Sequence, residues 1–287
     1  MRIGFMMGYD RERMEFAKRY GFRSLELMAE PGNGFFPGDA GWEAKADEVK
    51  AAFAAEDLRI SCVAGFYINH MDPAQEAAAR ERTRGTILLA ERLGVGVVAG
   101  FAGRIVEEEL DASLPKFKEM WGEHARFAED HGVKIAFENC PMGQYGLPVG
   151  GINMMCTPDM WEKAFDAVPS PALGLEWDPS HLICMFIDPV ANLKKFGAKA
   201  YHVHAKDAHV DRELMSRRGV WYPGVVEHCS PAMGDTDWAL CIKELLRQGY
   251  ASDLNIEGWH DAVYNREKED EGLVIALRQM EQFVLQD

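Results

Sequence analysis

Apolar residues recur along this chain in two alternating rhythms. Short, mostly apolar runs with strand character occur at 2–7, 23–28, 58–65, 95–101, 133–138, 172–178, 200–206 and 253–258. Between them lie amphipathic segments with helical spacing, near 10–20, 42–56, 73–93, 111–131, 157–167, 188–196, 236–248 and 264–285. Asp72-Pro73 and Thr157-Pro158 read as cap-then-proline helix openings, and Gly94, Gly132 and Gly249 fall just past the helices they end. Eight such β/α repeats predict an α/β fold, a single (β/α)8 (TIM) barrel spanning 1–287. A doubly wound sheet usually shows a Gly-rich first turn, but residues 7–10 read Met-Gly-Tyr-Asp and no linker divides the chain.

Two connections are long: 29–41 after the second strand and 207–235 after the seventh. The first holds adjacent Phe35 and Phe36; the second holds Trp221, Tyr222, Arg212, Arg217 and Arg218. Long loops in compact domains are functional or disordered, and aromatic content argues for function. Both are expected to serve as lids or substrate walls at the C-terminal mouth of the barrel.

Composition narrows the partners. With Lys+Arg 31 against Asp+Glu 46, the net charge of −15 argues against nucleic acid, since no basic patch compensates. The six cysteines form no CxxC pair and read as reduced core thiols. No apolar stretch approaches the roughly 18 residues of a membrane span, and the chain opens on an apolar strand without a leader. The expectation is a cytoplasmic enzyme with no membrane partner.

Four strand ends carry side chains suited to a cation: Glu138 in KIAFENC (134–140), Asp178 in LGLEWDPSH (173–181), His204 in YHVHAKD (201–207) and Glu257 in DLNIEGWH (253–260). Singly, each has an ordinary role. A strand carboxylate pairs with Lys or Arg, Asp178 caps the next turn, and a barrel histidine hydrogen-bonds within the core. Together they suggest a ring of ligands at one mouth of a barrel. Three carboxylates and one imidazole favour Mn²⁺, Mg²⁺ or Co²⁺ over a structural zinc, with one Mn²⁺ the foremost expectation. Further candidates are weaker. His181 lies three residues after Asp178, and Lys206 either orients a carboxylate or closes a strand-end ion pair; Glu176, on the same side of its strand as Asp178, either backs the ligands or partners Lys206. Glu26 and His70 close the second and third strands as hydroxyl-binding candidates; Arg212 is a candidate for a substrate oxygen or anionic group. Trp259 is placed either to stack on a substrate ring or to pack the barrel mouth.

The motifs FEN (137–139), WDPSH (177–181), HVHAKD (202–207) and NIEGW (255–259) resemble those of the sugar phosphate isomerase/epimerase superfamily with the xylose-isomerase-like barrel, and the likeness covers essentially the whole chain. That superfamily includes ketose 3-epimerases and inosose dehydratases. The resemblance implies that Glu138, Asp178, His204 and Glu257 hold one divalent metal. It also implies that Glu138 and Glu257 exchange protons with opposite faces of a keto-sugar through an enediolate, and that His181 contacts substrate oxygens. A small carbohydrate substrate and a homodimer or homotetramer follow from the same likeness. One position departs from the pattern: six residues after His204, where ketose epimerases carry an arginine, stands Val210, with Arg212 two further on. With the long 207–235 loop, this leaves room for a larger or oxidised sugar. A dehydratase or lyase eliminating from a keto-sugar, inosose or 3-keto-glycoside is the alternative. Apurinic endonucleases share the barrel, but here the fourth strand ends in Val98-Ala99-Gly100-Phe101 without a histidine, and the charge opposes DNA.

Overall fold

The computed structural model describes residues 1–143 and 151–286. Its strands are β1 (Ile3–Gly8), β2 (Ser24–Met28), β3 (Arg59–Phe66), β4 (Val97–Gly100), β5 (Lys134–Glu138), β6 (Leu173–Trp177), β7 (Ala200–Ala205), β8 (Asp207–Val210), β9 (Val226–Cys229) and β10 (Leu254–Ile256). Eight of them, in the order β1-β10-β7-β6-β5-β4-β3-β2, make the closed parallel barrel read from the sequence. The ring closes where Ile3 of β1 pairs with Leu254 of β10. Helices α1 (Arg11–Tyr20), α2 (Trp42–Ala55), α3 (Glu76–Leu93), α4 (Leu114–Asp130), α5 (Pro158–Ala167), α6 (Pro179–Cys184), α7 (Pro189–Phe196), α8 (Arg212–Arg218), α9 (Trp238–Arg247) and α10 (Glu269–Met280) complete the chain. Among the described residues, no helix is long and apolar enough to cross a membrane.

The local signals hold in part. Thr157 caps α5 by accepting from the Met160 amide, whereas Asp72 accepts from the Ala74 amide at 2.9 Å and closes a turn. Helix α3 therefore begins later than expected, at Glu76. The loop 207–235 is ordered by the antiparallel pairing of β8 with β9 and by α8. It leaves Trp221 73% exposed. Residues 29–41 correct the lid expectation, because Phe35 and Phe36 are buried. The Phe36 ring packs so closely on α3 that a Cβ at Gly85 would lie 2.5 Å from it. Both rings anchor the loop to the core.

Large side chains fill the shell between sheet and helices. Trp121 of α4 meets Phe137 of β5 edge-on, with centroids 4.5 Å apart, and donates its indole N–H to the Ala102 carbonyl at 2.9 Å. The barrel interior is packed differently. Cys62, Ala99 and Ala136 form a small apolar cluster there. Nearer the C-terminal mouth, the interior becomes polar and charged.

His70 belongs to the outer shell, which corrects its placement as a hydroxyl binder. Its ring lies 4.9 Å from that of Trp121 and 5.7 Å from that of Phe66, and Nε2 is 3.3 Å from the Phe66 carbonyl. Burial drives its pKa down to about 3, against 6.5 when free. Below pH 6.5 the unfolded chain takes up a proton that the folded chain refuses, so stability falls with acidification between those values. From pH 7 to pH 5 the loss attributable to His70 is about 2 kcal/mol. Urea midpoints at the two pH values should differ less in His70→Phe than in the parent; equal differences would refute the assignment.

Candidate metal centre

Strands β5, β6, β7 and β10 lie in barrel order, with β6 and β7 between the other two. At their C-terminal ends, Glu138, Asp178, His204 and Glu257 each offer one ligand atom within 4.8 Å of all the others, and all four are buried. Neighbouring polar groups hold them there. Asn153 Nδ2 donates to the Glu138 carbonyl at 2.7 Å. The Asn139 amide clamps the backbone of Asp178, donating to its carbonyl at 2.8 Å and accepting from its N–H at 2.7 Å. Asp178 then caps α6 as the sequence suggested, accepting from the Ser180 amide with Oδ1 at 2.8 Å. That leaves Oδ2 directed elsewhere.

His204 shows most clearly what the centre is built to hold. Its Nε2 lies 3.0 Å from Glu26 Oε2, which makes that nitrogen the donor. Its Nδ1 faces Glu138 Oε1 at 3.4 Å and Glu257 Oε2 at 3.7 Å, is buried, and has no hydrogen bond. A carboxylate on the outer nitrogen and a bare inner nitrogen is the arrangement of metal-ligating histidines. Asp178 Oδ2 is likewise buried without a hydrogen bond of good geometry, although Lys206 Nζ stands 2.9 Å away. Two buried, under-used ligand atoms in one carboxylate-rich pocket fit a divalent cation.

Charge supports the same fit. Lys206 is buried and hydrogen-bonds Glu257, with its Nζ 3.3 Å from His181 Nε2. Burial opposes its charge, but Asp178 and Glu257 more than compensate and hold its pKa well above the usual lysine value. Burial also opposes the Glu257 carboxylate, yet Lys206 and His260 outweigh it and pull its pKa down. Burial opposes the charge of His204, yet Glu176, Glu26 and Glu138 raise its pKa well above the ordinary value, so a cation would displace the ring's second proton and meet three carboxylates set against one ammonium.

Glu176 lies inside the barrel, two residues before Asp178; of its two expected roles it takes the one behind a ligand, with Oε1 3.3 Å from His204 Nε2, rather than pairing with Lys206. Strand rise separates such residues by about 6.6 Å. Its Oε1 lies 2.8 Å from His202 Nδ1, and Tyr67 donates to its Oε2 at 2.7 Å. Burial, reinforced by Glu26 and opposed by His204, pushes its pKa up to about 7. Glu26, a hydroxyl-binding candidate from the sequence, is fully buried with its Oε2 engaged by His204.

Among the remaining candidates, His181 joins the centre: its Nε2 is 3.2 Å from Asp178 Oδ2 and 3.4 Å from Glu138 Oε1. Trp259 stands at the rim, its ring 5.5 Å from that of His260, whose Nε2 is 3.2 Å from Glu257 Oε1. Arg212 is not brought to the centre. The β8–β9 hairpin carries it outward to the start of α8, where it is 68% exposed and 3.4 Å from Asp235. The hairpin instead delivers His228, whose ring lies 5.1 Å from that of His181 and 5.8 Å from that of His260. Burial, with Lys206 and His181 nearby, lowers its pKa to about 3. Asn139, Asn153, Tyr67 and His228 carried no periodic signal that set them apart in the sequence.

A family model described as xylose isomerase-like TIM barrel matches residues 14–281. The chain belongs to that family. One relative, the uncharacterized protein YfiH of Bacillus subtilis (strain 168), is 32% identical over 110 residues, covering 38% of this chain and 31% of that protein. Among solved structures, D-psicose 3-epimerase from Clostridium cellulolyticum H10, determined with D-tagatose, superposes with a TM-score of 0.70 at 16% identity over 99% of both chains. The IOLI protein, solved with a zinc atom bound, gives a TM-score of 0.69 at 17% identity, again over 99% of both. At these identities the likeness to the solved structures is one of fold.

Proposed function

We propose that this xylose isomerase-like barrel is a divalent-metal-dependent sugar isomerase or epimerase that removes a proton beside the carbonyl of a keto-sugar. The supporting observation is the bare Nδ1 of His204 lying between the carboxylates of Glu138 and Glu257. Glu138, Asp178, His204 and Glu257 would hold the cation, with Mn²⁺ first by ligand type and Mg²⁺ or Co²⁺ next. When bound, it would polarise the substrate carbonyl and offset the charge that develops on its oxygen.

The chain's own residues supply the proton steps. Glu138 and Glu257 come from strands on either side of β6 and β7, so a sugar lying over His204 meets a carboxylate from each direction. One removes the carbon-bound proton and the other returns one to the opposite face, which inverts the centre. His181 and Lys206 stand ready to donate to substrate oxygens, and Trp259 offers an apolar face at the rim. Elimination is the second reading. It is favoured by Lys206, a buried ammonium beside Glu257 that could protonate a departing oxygen.

Proton NMR in D₂O tests both readings with Mn²⁺-loaded protein and a panel of ketoses, inososes and 3-keto-glycosides, recorded after the metal is removed. Deuterium in the recovered or epimeric sugar is the expected result. An unsaturated or cleaved product would establish elimination. Absence of exchange and of product across the panel would overturn both.

A further inference from the structure

The opposite, N-terminal mouth of the barrel holds a depression that the proposed reaction does not use. Its volume is about 460 Å³, within the range of pockets that take small molecules. Ile60, Val97 and Tyr201 line it, and the latter two pack on the Cys62, Ala99 and Ala136 cluster inside the barrel. Lys50, Arg59 and Lys134 also line it, and none of its lining residues is acidic. That is notable in a chain whose acids outnumber its bases 46 to 31.

The cations there are poorly neutralised. Lys134 Nζ stands 4.3 Å from the Tyr201 ring centroid, and Lys50 Nζ donates to the Arg92 carbonyl at 3.1 Å. Among the described residues, neither has a carboxylate at ion-pair distance. Arg59 lies 3.5 Å from Asp253, whose carboxylate also accepts from the Arg2 amide and the Ser24 hydroxyl. Burial lowers the pKa of the neighbouring Lys199, and the like charge of Lys134 adds to the effect. A cleft whose positive charge is only partly compensated concentrates anions.

Gly96 is an independent sign. Its backbone is not left-handed, and a Cβ built on it meets no atom within 4 Å. Neither conformation nor packing demands glycine there, and it lines the depression.

We propose that the N-terminal mouth is a second, non-catalytic site for a small organic phosphate. Its anionic group is drawn to the Lys50 and Lys134 ammoniums, and its carbon skeleton rests on Ile60, Val97 and Tyr201. A phosphate dianion suits this site better than a single carboxylate, because two ammoniums lack carboxylate partners. The proposal stands apart from the reaction at the other mouth.

Isothermal titration of the whole chain with glucose 6-phosphate, and with glucose as the uncharged control, tests it. Saturable binding of the phosphate ester alone is expected. Lys134→Gln and Lys50→Gln, each melting as the parent does, should weaken it about tenfold or more. Gly96→Leu should abolish it by filling the wall. Glu257→Gln, at the far mouth, should leave it unchanged. Absence of binding to the parent chain would overturn the proposal. So would loss in Glu257→Gln, or full retention in the folded lysine variants.

Discussion

Glu257→Gln is expected to lower turnover about a thousandfold or more, because under the proposed reaction one substitution removes both a metal ligand and a proton acceptor. The Glu257 carboxylate faces His204 Nδ1 at 3.7 Å, hydrogen-bonds Lys206, and lies 3.2 Å from His260 Nε2. Glutamine preserves its volume but not its charge. Lys206 then keeps Asp178 Oδ2 at 2.9 Å as a carboxylate partner, so the buried ammonium is not stranded and the barrel should still close. Reduced metal binding should accompany the loss. The measurement is kcat alongside metal stoichiometry and melting temperature. Parent-like turnover in a folded, metal-loaded variant would remove Glu257 from the reaction. A loss explained entirely by unfolding would move it to the structural network around Lys206.

The barrel and its mouth were legible for related physical reasons. Each barrel strand is covered by helices outside and packed within, so its apolar run survives in the sequence as a block. A carboxylate or imidazole at the end of such a block contradicts its surroundings, and Glu138, Asp178, His204 and Glu257 each break the apolar pattern in that way. Depth was harder to read. Pleating tells which residues of a strand point inward but not which layer they occupy, so the sequence leaves Glu176 open between backing a ligand and pairing with Lys206; it lies one layer deeper, against His202, Tyr67 and His204. His70 misled because its aromatic box is assembled from α4, distant in sequence. Phe35 and Phe36 misled because an aromatic pair in a loop looks alike whether it closes over substrate or docks into the core. Helix α6, only six residues long, is too short to show a period. Asn139 and Asn153 act through backbone contacts that only the fold brings together.

Depth also identifies the other large effect, at a residue that the sequence placed only loosely. Glu26→Gln is expected to weaken Mn²⁺ binding by about 10–100-fold while leaving turnover per loaded site near the parent value. Glu26 offers no atom to the quartet; it acts through His204, whose Nε2 it holds at 3.0 Å. Burial opposes its charge, but His204 and His202 overcome this and keep its pKa below the ordinary value, so a full carboxylate backs the imidazole. That carboxylate holds the Nε2–H and turns Nδ1 towards Glu138 and Glu257; against burial, Glu176 and Glu26 raise the basicity of the ring. A glutamine can still accept one hydrogen bond, so the ring should keep its place while losing the neighbouring charge. Titration calorimetry with Mn²⁺, followed by activity at saturating metal, separates the two readings. Weaker affinity with activity restored by excess metal identifies Glu26 as a positioning residue. Parent-like affinity with a lowered melting temperature would instead assign it only to the packing of the polar interior with Tyr67, Glu176 and His202.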